Sequence, residues 1–235
     1  MSVKGGPDII TENLQLYLDA GNPKSYSGDG SIWYDLSGNY NDASLYGAII
    51  TTIEATGAMI FDSSSKFAIL PAIDTYSSSA IFTINANLRY INGNYGSIFT
   101  NHIDRTNIYI SQFTSSSIPH WHIRSGGTPW ESNSLTTLQG RNITASFFIR
   151  VNKQLDQAQY VIKMGGRDDI IQYSINSGIV NPGSSVTFDK NMIGGPVTGD
   201  AYPDFNIYSF MIYNKWLTDA EITSNFNAIK SRFGL

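Results

Sequence analysis

An aromatic ring flanked by carboxylates, amides or guanidinium groups is what a protein needs to hold a sugar. The ring covers the apolar face of the pyranose, and Asp, Asn or Arg bond its hydroxyls. Two stretches of this 235-residue chain carry those groups: Asn101-His102-Ile103-Asp104-Arg105 and Pro129-Trp130-Glu131. His102, Asp104, Arg105 and Trp130 are therefore the candidate ligand-binding residues, provided the two loops converge. Several of the fourteen tyrosines also stand beside polar, turn-like sequence. Trp33 and Trp121 read instead as core anchors, which leaves Trp130 as the exposed tryptophan.

A second cluster offers oxygen ligands. In Asp35-Leu-Ser-Gly-Asn-Tyr-Asn-Asp42, the side chains of Asp35, Asn39 and Asp42 are the raw material of a calcium loop. The competing reading is stronger, because tight turns use the same residue types for their own backbone hydrogen bonds. Asp19 and Asp62, both at strand ends, would join such a site only if folding brought them close. His120 and His122, two apart around Trp121, could bind a metal with His102, but no carboxylate stands at a suggestive offset. They read as imidazoles on a sheet face.

Hydrolytic chemistry is poorly provided for. Glycoside cleavage uses two carboxyl groups roughly 5–10 Å apart. The four glutamates, Glu12, Glu54, Glu131 and Glu221, form no E-x-D-x-E run, and Asp168-Asp169 on a strand would point to opposite faces. There is no Ser-His-Asp motif, phosphate loop or dinucleotide fingerprint. A non-enzymatic protein is expected.

Composition narrows the partners. Charged residues make up 14% of the chain, the net charge is −4, and no run of Lys or Arg exceeds two. Nucleic acid, which needs a clustered basic face, is not an expected partner. The absence of cysteine removes disulfides and thiolate chemistry. MSVKGGPDII has no signal-peptide core and no stretch is long enough to span a membrane, so synthesis in the cytoplasm without membrane insertion is expected.

The elements that must position these residues are strands. Phe82, Ile84, Ala86 and Leu88 alternate with polar residues over Ala80–Tyr90, as do Ile143, Ala145, Phe147, Ile149 and Val151 over Asn142–Asn152. Leu14, Leu16 and Leu18 mark a first half-buried strand. Shorter strands are predicted at Ala58–Asp62, Lys66–Leu70, Gly96–Thr100, Asn107–Phe113, His120–Arg124, Gln159–Lys163, Ile170–Ile175 and Asn191–Gly194. Gly21 to Gly47 reads as a long turn-rich segment. Near the end, a strand apolar on both faces (Ile207–Asn214) leads to Thr218 and Glu221, the spacing of a capping box. Ile222, Phe226 and Ile229 then recur at helical spacing, giving a short C-terminal helix that lids the sandwich. Residues 1–8 read as a flexible N-terminal arm, and 9–235 as one domain.

The stretches LQLYLDAGNPKSYSGDGSIWYDLSGNYNDASLYG at 14–47, MIFD at 59–62, FTINANLRY at 82–90, MIGG at 192–195 and the run 205–235 resemble the laminin-G-like, concanavalin-A-like jelly-roll domains of many bacteriophage structural proteins. The resemblance implies an all-β antiparallel jelly-roll sandwich closed by the C-terminal α-helix. Lys66 and Phe205 depart from it, standing where the family often has Asp and Gly. It also implies a non-enzymatic virion protein of a tailed phage, displayed on capsid, neck or tail for decoration or host attachment. Its expected partners are other virion proteins, further copies of itself and a host glycan, and no cofactor is expected beyond the calcium weighed for the 35–42 loop. The alternative is a lectin-like module binding host surface polysaccharide.

Overall fold

The structure, a computed structural model, describes residues 8–46, 57–61, 66–73, 75, 79–92, 96–100, 109–113, 120–125, 128–134, 143–152, 154–155, 157–163, 173–176, 191–194 and 204–232. Fifteen strands are found among them: β1 (Leu14–Asp19), β2 (Ile32–Trp33), β3 (Ala43–Tyr46), β4 (Met59–Phe61), β5 (Phe67–Leu70), β6 (Ile81–Asn92), β7 (Gly96–Thr100), β8 (Tyr109–Phe113), β9 (His120–Ser125), β10 (Thr128–Ser134), β11 (Ile143–Asn152), β12 (Gln157–Lys163), β13 (Tyr173–Asn176), β14 (Asn191–Ile193) and β15 (Asp204–Tyr213). One helix, α1 (Asp219–Ile229), follows, with a 3₁₀ turn at Lys230–Arg232.

The strands form two antiparallel sheets. The first runs β1-β15-β6-β11-β12-β13, with β4 also pairing β15, and the second runs β10-β9-β8-β7-β14-β5-β3-β2. The period-two pattern of β6 and β11 explains the core between them. Phe82, Ile84, Ala86 and Leu88 meet Ala145, Phe147, Ile149 and Val151 in one cluster with Trp33, Leu45, Ala68, Leu70, Phe99 and Ile193 from the second sheet. The predicted jelly-roll sandwich is what forms, and the weaker strand predictions fall on β4, β5, β7, β8, β9, β12, β13 and β14.

The far face of the first sheet departs from a simple inside-outside alternation. Helix α1 and the residues leading into it cover it, setting Leu217 and Ile222 against Leu14, Phe148, Val161, Met211 and Tyr213. Thr83, Asn85, Asn87, Ser146 and Arg150, which alternation turns away from the core, are consequently buried as well. The entry to the helix supplies partners for two of them, Thr83 and Arg150. Thr83 Oγ1 donates to the Lys215 carbonyl (2.7 Å) and accepts from Leu217 N (3.0 Å). Arg150 Nη1 donates to the Leu217 carbonyl (2.8 Å) and to Asp219 (2.7 Å). The capping box forms as predicted, with Thr218 N donating to Glu221 Oε2 (2.8 Å) and Glu221 N to Thr218 Oγ1 (3.3 Å).

Three strands were not foreseen: β2 and β3, inside the segment read as turns, and β10. The last corrects the placing of Trp130 on a loop, since residues 128–134 are a strand. Pro129 signals a loop in sequence, yet it is tolerated because β10 is an edge strand whose outer side needs no ladder donor. A register shift between Trp130 and Asn133 irregularises that edge.

Candidate functional site

The best-defined surface feature is the connection between β2 and β3, residues 34–42, which holds Asp35, Asn39 and Asp42. Among the described residues β1 is an edge of the first sheet, and one side of its backbone has no strand partner there. The connection supplies that partner with alternate side chains. Asp35 Oδ1 accepts from Tyr17 N (2.9 Å), and Leu36 N donates to the Tyr17 carbonyl (2.8 Å). Ser37 Oγ (3.2 Å) and Asn41 Nδ2 (2.8 Å) both donate to the Gln15 carbonyl. Asn39 Nδ2 donates to the Leu14 carbonyl (2.8 Å). The loop is a latch that ties the edge of one sheet to a hairpin of the other.

Within the loop the carboxylates serve its own backbone. Asp35 Oδ1 also accepts from Ser37 N (2.8 Å), and its Oδ2 accepts from Ser37 Oγ (2.6 Å) and Asn41 N (3.0 Å). Asp42 Oδ1 accepts from Asp35 N (2.8 Å). This is the turn chemistry weighed against calcium. Among the described residues, no group of three or more His, Asp or Glu could hold a metal ion.

What the latch presents to solvent is Tyr40. Asp35, Ser37, Asn39 and Asn41 turn toward β1, whereas Tyr40 is 89% exposed, with Tyr34 at 49% at the start of the same loop. Tyr34 is pinned through its backbone, donating to the Ser25 carbonyl (2.7 Å) and accepting from Ser25 Oγ (2.6 Å). Tyr40 has φ of 60°, in the left-handed region. A non-glycine residue there costs about 1–2 kcal/mol, and such positions cluster at binding sites. The sequence did carry a signal for it. In Ser37-Gly38-Asn39-Tyr40-Asn41-Asp42, Tyr40 is the one large aromatic among turn formers.

The second candidate region is the β7–β10 end of the second sheet. Thr100, Tyr109, Arg124 and Pro129 stand in one row across its four strands. Trp130 follows one position on, paired with Ile123. Thr100 and Tyr109 flank residues 101–108, so the chain ends leading to His102, Asp104 and Arg105 emerge at the level of Pro129. His102, Asp104 and Arg105 themselves lie outside the described residues. His120 and His122 are on β9. Trp33, as expected of a core anchor, is fully buried.

A third cluster is buried and structural. Asp19, at the end of β1, takes two hydrogen bonds from Arg232 and one from Tyr17 Oη (2.9 Å). The Asp19 hydrogen bond, foremost, raises the Arg232 pKa. Burial, then the Asp19 charge, drives the Tyr17 phenol well above its usual range. Burial does the same to Tyr213, whose hydroxyl accepts from Asn225 Nδ2 (2.9 Å).

No protein-family model and no curated protein matches the chain. Many solved structures share its fold. Trypanosoma rangeli sialidase in complex with sialic acid superposes with a TM-score of 0.62 at 14% identity, over 93% of this chain and 33% of that one. The binding domain of Paraclostridial Mosquitocidal Protein 1 gives 0.61 at 15% identity, over 92% of this chain and 52% of that one. The binding domain of Botulinum neurotoxin DC, in complex with rat synaptotagmin II, gives 0.64 at 15%, over 94% and 52%. This chain thus spans a third to a half of the structures it matches. At these identities the likeness establishes a concanavalin-A-like β-sandwich fold and nothing finer.

Proposed function

We propose that this protein is a lectin-like module that binds surface polysaccharide without cleaving it. The observation that carries the reading is Tyr40, an exposed aromatic held at a costly backbone angle on a loop whose neighbouring residues are fixed by hydrogen bonds. Rigid, exposed aromatics supply contact area at little entropic cost on binding. Support comes also from the fold, which is shared with two toxin binding domains and with a sialidase solved with sialic acid. The non-catalytic part of the reading is supported by the structural employment of several described carboxylates. Asp19 holds Arg232, Asp35 the latch, Asp219 Arg150, and Glu12 and Glu221 share Lys215.

The setting we propose is the exterior of a tailed-phage virion, among other virion proteins and further copies of this chain. That setting rests on the resemblance of residues 14–47 and 205–235 to phage domains. Screening the purified protein on an array of bacterial and host glycans tests the binding reading. Saturable binding without release of reducing sugar is the expected result, and an inert array would overturn it. Electron cryo-microscopy of the particle tests the setting, where density for this sandwich at repeated positions is expected.

A further inference from the structure

We infer that the seam between the first sheet and α1 holds an internal water, shared by Asn85 and Ser146. Strand register lays out the floor of that seam. Lys163, Ser146, Asn87, Ser209 and Asp19 stand in one polar row across β12, β11, β6, β15 and β1. Asn85 lies two residues before Asn87 on the same face of β6, diagonal to Ser146 on β11. The roof is α1 with the turn that follows it. Lys163 Nζ donates to Thr223 Oγ1 (2.9 Å) at one end of the row, and Arg232 holds Asp19 at the other. Asn85, Asn87, Ser146 and Ser209 are all shut off from solvent beneath it.

Two atoms of these four side chains stand out. Asn87 Nδ2 donates to Ser209 Oγ (2.8 Å), and Asn87 Oδ1 accepts from Asn85 Nδ2 (3.4 Å). Asn85 Nδ2 also donates to the Phe147 carbonyl (3.2 Å). A carbonyl only accepts, so this contact fixes which end of the Asn85 amide faces it and turns Oδ1 away. Asn85 Oδ1 and Ser146 Oγ are both enclosed, and neither makes a hydrogen bond among the described residues. Buried polar groups are almost always paired, so two such atoms on neighbouring strands of one covered face point to a shared ligand.

Water is the ligand this pair selects. Diagonal neighbours on antiparallel strands stand about 7–8 Å apart. One molecule bonding each side chain at about 2.8 Å fills such a gap. It donates a hydrogen to Asn85 Oδ1, which can only accept, and accepts the hydrogen of the Ser146 hydroxyl. A cation would meet two neutral oxygens there, because Asp19, the carboxylate of the row, is taken by Arg232. An apolar occupant would leave both atoms unpaired. Helix α1 seals the seam, so this water leaves only when the helix lifts.

The test combines a high-resolution crystal structure of the full chain with water cross-relaxation measured by NMR. The crystal should show an ordered water within hydrogen-bonding distance of both Asn85 Oδ1 and Ser146 Oγ. In solution the Asn85 Nδ2 protons should cross-relax with water, with the sign of a slowly exchanging internal molecule. Ser146→Ala should weaken that signal and lower the thermal midpoint, and Ser146→Thr, which keeps the hydroxyl, should retain the signal. Direct bonding of either atom to a protein group, or no ordered density between them, would overturn the inference. So would a wild-type Asn85 amide without water cross-relaxation, or a signal indifferent to Ser146→Ala. Should the variants fail to fold, the wild-type density and signal still decide.

Discussion

Arg232 grips Asp19 through both terminal guanidinium nitrogens, Nη1 at 2.6 Å and Nη2 at 2.8 Å, and so ties the turn after α1 to the end of the first strand. The carboxylate is buried and also accepts from Gly21 N (3.0 Å). Removing the cation therefore leaves a buried charge poorly compensated. Arg232→Ala is expected to cost about 2–3 kcal/mol, below the range for fully buried pairs, because the arginine side chain is 36% exposed. In a denaturation cycle, Asp19→Ala combined with Arg232→Ala should cost less than the sum of the two single changes. Additivity would show that the pair is not coupled.

The latch makes a separate prediction. Asp35 accepts four hydrogen bonds, two of them holding Tyr17 N and Asn41 N. Because net contributions of bonds to a charged group are about 1.5–3 kcal/mol, and the four share one carboxylate, Asp35→Ala should cost about 2–4 kcal/mol. It should also uncover the backbone of β1, an edge that can then pair with another chain. Urea denaturation measures the first effect, and concentration-dependent size-exclusion chromatography the second. A stable, strictly unchanged elution profile would show that the latch is not what protects the edge.

These two contacts show what was legible in the sequence. The alternation in β6 and β11 and the Thr218–Glu221 spacing are local patterns, and the structure follows them closely. The latch is not local, since Asn39 and Asn41 bond carbonyls more than twenty residues away. From sequence, Asp35, Asn39 and Asp42 suit a metal loop as well as a turn, with the turn favoured, but which backbone groups they serve depends on the position of β1. Asn85, Asn87 and Ser146 were misleading in the same way. Their polarity signals an exposed face, yet α1 arrives from the other end of the chain to cover it. Residues 129–131 look like a loop in sequence, and edge position, a property of the assembled sheet, overrides the signal of Pro129.

Stability should fall at both ends of the pH scale, for opposite reasons. Tyr17 and Tyr213 are held protonated in the fold, whereas in the unfolded chain they ionise near pH 10. Above about pH 10 the unfolded state binds fewer protons than the folded one, so stability drops with rising pH, by up to about 1.4 kcal/mol per unit for each tyrosine. Glu221 has the reverse sign. Burial alone would raise its pKa, but hydrogen bonds from Lys215 and Thr218 outweigh it and the net shift is downward. Its contribution is present above the unfolded carboxylate range and lost as pH falls through the lower folded value. Chemical denaturation between pH 3 and 11 should show both limbs. Tyr17→Phe should flatten the alkaline limb and Glu221→Gln the acid one, and an unchanged alkaline slope in Tyr17→Phe would place the burden on other groups.

Two glycines separate backbone angle from backbone crowding. Gly38, in the latch, has φ of +89° and nothing within 4 Å of where a Cβ would stand. Gly57 has φ of +69°, and a Cβ there would lie 2.3 Å from Gly21 Cα and 2.9 Å from Gly21 N. Gly38→Ala pays only the conformational penalty, about 1–2 kcal/mol. Gly57→Ala carries that penalty and must also displace main chain just beyond Asp19, where Gly21 N holds the carboxylate. Its cost should exceed that of Gly38→Ala by at least about 2 kcal/mol, since close packing leaves backbone little room to yield. Thermal denaturation of the two variants side by side decides the point. Equal losses would mean that the chain around Gly21 relaxes freely, and that the Asp19 clasp tolerates the movement.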